Sequence, residues 1–300
     1  MKKMTTEIAT DIEGFLIQAK SRVESVLSDF LPSVDSEPQR LHEAMRYATL
    51  GGGKRIRAAL VYATGQSFGA NMGALDYAAA AVECIHAYSL IHDDLPCMDD
   101  DDLRRGQPTT HKAFDEATAV LAGDALQAFA FELIANARMP LGLKMVQLLA
   151  QSSGASGMVG GQMRDMLAEN QNISVEDLEA LHLGKTGALI CASIMLGALA
   201  AEQGEPGLMR QLHQFGSDLG LAFQIHDDVL DVTSDTETLG KTAGADQNRN
   251  KSTFVTLLGI EGAQARAEEQ LSLARQRLWP LKQDTRLLDS LSTYVIKRLY

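Results

Sequence analysis

The tetrapeptide Ile-His-Asp-Asp stands twice in this chain, at 91–94 and at 225–228, and each copy closes a long apolar stretch with helical spacing. A further acid follows each copy, Asp99 after the first and Asp231 after the second. Two like unit charges about 4 Å apart repel by roughly 1 kcal/mol in water and about 4 kcal/mol at the dielectric of a protein surface. Aspartates at a helix C-terminus also oppose the macrodipole, so Asp93 and Asp94 sit where they cost stability. In the second copy Asp227 and Asp231 share one helix face, at a spacing where like charges destabilise a bare helix. Either cluster alone also fits a solvated surface. Their repetition favours a fold that brings two helix ends to shared cations. Donors that are all oxygen select hard ions, Mg2+ or Ca2+, over zinc.

The rest of the chain is helix-forming. It is 45% hydrophobic with only 5% aromatic residues, and much of the apolar content is Ala, Leu and Met. Alternation of β-branched residues is scarce, so the expected fold class is all-α. Apolar periodicity predicts helices over 4–30, 74–94, 115–137, 206–233, 252–279 and 284–299. Ser36-Glu-Pro-Gln39 reads as a capping box opening a helix that the glycines at 51–53 end, and another begins near Lys54. A helix over 141–169 is loosened by its glycines, and Ser174 with Asp177 caps one that runs to about Ala201. Residues 95–113 and 235–250 read as loops. No linker divides the chain, so residues 1–300 are expected to form one domain.

Charge and cysteines narrow the setting. A net charge of -12 offers no basic face for phosphate backbones, which argues against nucleic acid. Cys84, Cys97 and Cys191 form no CxxC pair, as suits a reducing cytoplasm. The N-terminus lacks the apolar core of a signal peptide. The longest uncharged run, Thr186 to Ala201, is too short for a convincing membrane span and reads as a buried core helix.

The cations come in segments of their own. In GGGKRIR (51–57) Lys54 and Arg57 open a helix, where backbone N–H groups also attract anions. It is not a Walker A loop, because Ala48 stands at the required glycine and Arg55 at the required Ser or Thr. Arg104 and Arg105 follow the first acidic run directly, and His86 lies about two turns before Asp93 on the same helix face. Acids that gather cations beside bases that gather anions suit a metal-bound diphosphate.

In order along the chain, GGGKRIR (51–57), VECIHAYSLIHDDLPCMDDDDLRRG (82–106), LAGDAL (121–126), GKTGALI (184–190), FQIHDDVLDV (223–232), LGKTAGAD (239–246) and KST (251–253) resemble the trans-isoprenyl diphosphate synthases, most closely their bacterial farnesyl branch. The resemblance implies an all-α domain around a deep central cavity, usually a homodimer in the cytoplasm without membrane insertion. It implies Mg2+, three ions with substrate bound, held by Asp93, Asp99, Asp227 and Asp231. Arg104, Lys185, Thr186, Gln224, Lys241 and Lys251 would meet the allylic diphosphate substrate, with Lys185, Thr186, Gln224 and Lys241 catalytic. Lys54, Arg57, His86 and Arg105 would hold isopentenyl diphosphate. The implied reaction joins isopentenyl diphosphate to dimethylallyl or geranyl diphosphate.

Two positions depart from the family pattern. Ala58 replaces a common Pro, which is expected to loosen that helix start, and His226 replaces a longer polar side chain, which would make activity more sensitive to pH. Tyr88 and Ser89 stand five and four residues before Asp93, about 6–7.5 Å deeper along the helix, where a growing prenyl tail would point. Tyr88 as floor and a small Ser89 predict the fifteen-carbon product, with ten- and twenty-carbon products as alternatives. Other readings are a terpene cyclase, a metal phosphohydrolase using His92-Asp93 and His226-Asp227, and a non-catalytic helical binding protein. A cyclase would need another second metal motif, and neither it nor a phosphohydrolase has a use for the Lys54 and Arg57 segment.

Overall fold

The computed structural model describes residues 2–233 and 252–297, with side chains over 12–233 and 252–296. Helices dominate it: α1 (Lys2–Phe30), α2 (Gln39–Leu50), α3 (Ile56–Ser67), α4 (Met72–Asp93), α5 (Thr110–Ala113), α6 (Glu116–Asn136), α7 (Gly142–Ser153), α8 (Met158–Ala168), α9 (Val175–His182), α10 (Ala188–Ala200), α11 (Pro206–Thr233), α12 (Phe254–Leu278) and α13 (Arg286–Lys297). Two short strands, β1 (Leu103–Arg104) and β2 (Gln107–Pro108), form a small antiparallel hairpin in the loop after α4. The all-α expectation holds.

Several boundaries differ from the sequence reading for local reasons. Ser36 does not cap α2. Its hydroxyl donates to the Ser33 carbonyl at 2.7 Å, and Pro38 occupies the N-cap without a side-chain cap. The helix expected over 141–169 is two helices, because the backbone turns at Gly154–Gly157, where a Cβ on Gly157 would lie 2.1 Å from the Ser152 carbonyl oxygen. Ser174 does cap α9, accepting from the Asp177 N–H, but the helical run is interrupted by a π-helical turn, Leu183–Gly187, before α10 resumes it. Such single π turns gather at functional sites.

α10 is the central element. Nearly every residue of it is buried, and it packs on α3, α4, α7 and α11. α4 and α11, whose C-terminal ends carry the two acidic clusters, both rest on this helix, and α11 also lies along the π turn. A second apolar cluster (Leu178, Leu221, Ile225, Val229, Phe254, Ala263 and Ala267) joins α9, α11 and α12. Two stretches, Glu116–Asn136 and Val175–Ala200, are long and apolar enough to cross a membrane by length and composition alone, and 72% of the second one's most apolar window is buried inside the protein.

Candidate active site

The cation loop between α2 and α3 is shaped by backbone and fastened from α4. Gly52, Gly53 and Arg55 all have positive φ (90°, 112° and 52°). Arg55 turns its guanidinium inward, donating to Glu83 at 3.0 Å and to the Thr49 carbonyl at 2.7 Å. The other Glu83 oxygen accepts from the Ala58 N–H at 3.1 Å, in the first turn of α3. Glu83 thus grips the loop on both sides of Arg57, and Lys54 is left exposed. Ala58 therefore does the opposite of what the sequence suggested: a Pro would have no N–H to give Glu83.

Arg57 Nη1 lies 3.3 Å from His86 Nε2, one turn along α4 from Glu83. Arg105 donates to the Gly52 carbonyl and lays its guanidinium over Gly53, whose φ of 112° favours glycine. Burial lowers the Arg57 pKa, with Glu83 opposing and Arg105 adding to the shift. Burial, then Arg57, Arg105, Arg104 and Arg55, hold His86 well below the usual histidine range, so it is neutral at pH 7. A pocket in which bases push one another this way is built for an anion.

The first acidic cluster divides its labour. Asp93 is pushed up to about 6, by burial first, with Lys185 opposing and Asp99 and Asp94 adding. Asp94 is only 2% exposed and accepts from Arg104 Nε at 2.8 Å and Nη2 at 2.5 Å. The loop then closes on itself, the Asp99 N–H donating to the Asp93 carbonyl at 2.8 Å. His92 Nε2 is 3.1 Å from the Val120 carbonyl, and a Cβ on Gly123 would lie 2.1 Å from that same nitrogen. The first Ile-His-Asp-Asp and the LAGDAL segment are therefore one packing unit, in which His92 locks α4 to α6. Tyr88 is buried with its ring edge-on to His92 at 5.8 Å between centroids, and Ser89 Oγ donates to the His86 carbonyl at 2.9 Å.

The π turn carries the next group. A Cβ on Gly161 of α8 would lie 2.0 Å from the Lys185 amide nitrogen, so α8 and the turn touch backbone to backbone. One turn on from Gly161, Asp165 accepts from Lys185 Nζ at 2.6 Å. Thr186 donates to Gln224 Oε1 at 3.0 Å; Gln224 Nε2 donates to Asp228 Oδ1 at 3.3 Å. Asp228 and Asp231 are each 4% exposed. Burial lowers the His226 pKa, with Asp227 opposing, which moves its titration away from neutrality.

Electrostatics join the pieces: Lys185 opposes the upward shift of Asp93, and Asp227 opposes the downward shift of Lys54, so each acidic cluster has one of the cation groups near it. Lys241 and Lys251 lie outside the described residues. Sequence reasoning missed Glu83, Arg55 and Asp165. Glu83 shares a helix face with His86, Asp165 follows a glycine pair by one turn, and Arg55 lies inside GGGKRIR, signals that could have marked them.

Among the described residues no three His, Cys, Asp or Glu side chains converge on one point. A structural zinc would need such a set, whereas Mg2+ takes one or two carboxylates and completes its shell with water and substrate phosphates. The all-oxygen acids, with Asp93 raised by burial and then by its acidic neighbours, fit Mg2+ held jointly with a diphosphate.

The Polyprenyl synthetase family profile matches residues 38–280. A farnesyl diphosphate synthase of Escherichia coli is 48% identical over 92% of this chain and 95% of its own length. Among solved structures, an FPP/GFPP synthase from Zymomonas mobilis superposes with a TM-score of 0.86 at 39% identity, covering 96% of this chain and 99% of that one. A geranyltransferase from Helicobacter pylori, complexed with magnesium and isoprenyl diphosphate, has a TM-score of 0.84 at 37% identity, covering 95% of this chain and 96% of that one.

Proposed function

The chain belongs to the polyprenyl synthetase family, and from that premise we propose how its cleft makes farnesyl diphosphate by prenyl transfer. It joins isopentenyl diphosphate head to tail to dimethylallyl and then geranyl diphosphate. Asp93, Asp99, Asp227 and Asp231 would hold three Mg2+ ions together with the diphosphate oxygens. When bound, Mg2+ supplies the positive charge against which a diphosphate can leave.

The chain's own residues do the rest. Lys54, Arg57, His86 and Arg105 hold the diphosphate of isopentenyl diphosphate. His86 adds a hydrogen bond there. Arg104, Lys185, Lys241 and Lys251 hold the allylic diphosphate, and the ion pairs with Asp94 and Asp165 pre-set two of these cations. The allylic carbon–oxygen bond breaks with its electron pair going to the diphosphate. The hydroxyl of Thr186, committed as donor to Gln224, keeps its oxygen for the carbon where positive charge develops. The double bond of isopentenyl diphosphate attacks that carbon, and the proton then lost goes to the departing diphosphate. Apolar helix walls keep water from the cation.

The observation that carries this reading is the hydrogen bond from Thr186, the residue after Lys185, to Gln224, three residues before Asp227, which ties the π turn to the second acidic cluster. Purified protein given Mg2+, isopentenyl diphosphate and dimethylallyl diphosphate should yield a fifteen-carbon product by chromatography. No elongation at all would sink the reading. The protein would work as a cytoplasmic homodimer. Exposed apolar side chains spaced four apart on α8 support the pairing (Val159, Met163 and Leu167).

A further inference from the structure

We propose that Asp228, the second acid of the second Ile-His-Asp-Asp, is a positioning residue that orients Gln224 and is not a ligand of the metal; this rests on the prenyl-transfer reading above. Asp228 is 4% exposed, and its two oxygens have separate duties. Oδ1 accepts from Gln224 Nε2 at 3.3 Å, and Oδ2 accepts from the backbone N–H of Phe254 at 2.9 Å. Phe254 is the first residue of α12, so its N–H is one of the orphan donors at a helix start. Thr253 caps the same helix by accepting from the Thr256 N–H, and Asp228 supplies a second cap from a different helix. A carboxylate is also favoured there by the helix dipole.

The consequence reaches the reacting side of the cleft. An amide that gives its N–H to Asp228 must turn its oxygen the other way, and that oxygen accepts the Thr186 hydroxyl at 3.0 Å. Reversing the amide would set its oxygen against the Asp228 carboxylate. Asp228 therefore fixes the direction in which the Thr186 hydroxyl points. The first tetrapeptide uses its second acid in the same inward way, Asp94 gripping Arg104. In both copies the second acid holds protein, and the first, Asp93 or Asp227, is the one that serves the ions.

An Asn at 228 has one acceptor oxygen for two donors, so it must abandon Gln224 or Phe254. Asp228→Asn, Gln224→Leu, their double variant and Asp227→Asn are compared in steady-state kinetics with Mg2+ titrated, and in thermal melts without Mg2+ or substrate. Asp228→Asn should lower kcat by about 10–100-fold, the usual reach of a supporting residue, while its half-activating Mg2+ concentration stays within about twofold of wild type. The double variant should be no slower than the slower single variant. Without metal, Asp228→Asn and Gln224→Leu should both melt earlier than wild type, because each breaks a hydrogen bond of a buried group, and Asp228→Asn should melt earliest where it also loosens the α12 cap. A rise in the Mg2+ requirement matching that of Asp227→Asn, or multiplicative losses in the double variant, would overturn the proposal. If Asp228→Asn does not fold, Asp228→Glu, which keeps both oxygens, decides by the same Mg2+ titration. A wild-type protein that elongates no prenyl chain would instead remove the functional reading, and the metal-free melts would still judge the helix cap.

Discussion

Glu83 is 2% exposed and receives both the Arg55 guanidinium and the Ala58 N–H. Replacing Ala58 by Pro removes the second donor from a buried carboxylate. A hydrogen bond to a charged group is worth about 1.5–3 kcal/mol, while Pro gains only about 0.4–1 kcal/mol by restricting the unfolded chain. Ala58→Pro should therefore destabilise the protein by about 1–2 kcal/mol in denaturant unfolding. A variant as stable as wild type would show that this bond contributes nothing. Here residue identity was legible in the sequence and its partner was not. The pattern of GGGKRIR marks an anion site, but no spacing rule connects Ala58 to Glu83 on another helix. The same holds for Asp165 and Lys185, twenty residues apart in sequence and 2.6 Å apart in space.

At the scale of elements, helix existence followed from apolar periodicity, and most of the boundaries predicted for α4, α6 and α11 fall within a residue or two of those observed. What periodicity could not reveal were the interruptions: the turn between α7 and α8, the π turn before α10, and the break inside α12, where Gly259 has φ 71°. The first and last fall at glycines, and the π turn is set by tertiary contact. The π turn exists where α8 presses on it at Gly161, and this is the contact that aims Lys185 at Asp165. Gly161→Ala would drive a methyl group into backbone, which cannot swing aside as a side chain can. The expected cost is about 1–3 kcal/mol of stability, typical of overpacking, with kcat falling more than KM because Lys185 and Thr186 shift together. Thermal melts and kinetics on one preparation test this; a fall in stability with kcat intact would detach the turn from catalysis.

Over the whole molecule, product length measures the depth that the helices leave for a growing chain. Tyr88 is buried against His92, and Ser89 stands beside it on α4. Tyr88→Ala should lengthen the product toward twenty carbons and Ser89→Phe should shorten it toward ten, read by chromatography. Unchanged lengths in both would place the floor elsewhere.

Assembly belongs to this scale as well. Val159, Met163 and Leu167 recur every fourth residue along α8 and are 47%, 56% and 71% exposed, so they form one stripe that the described residues leave open. Leu121 on α6 and Leu143 on α7 are 58% and 84% exposed. An exposed apolar stripe such as that on α8 marks an interaction site, and a two-fold pair buries the same patch on both copies, so one substitution acts twice. Met163→Glu would place two carboxylates within that patch and should convert a dimer to monomers in sedimentation velocity. α8 also supports the π turn through Gly161 and Asp165, so the monomer should lose activity even though residue 163 is no part of the cleft. A wild-type chain that sediments as a monomer, or a Met163→Glu variant that stays dimeric, would take the interface off this face.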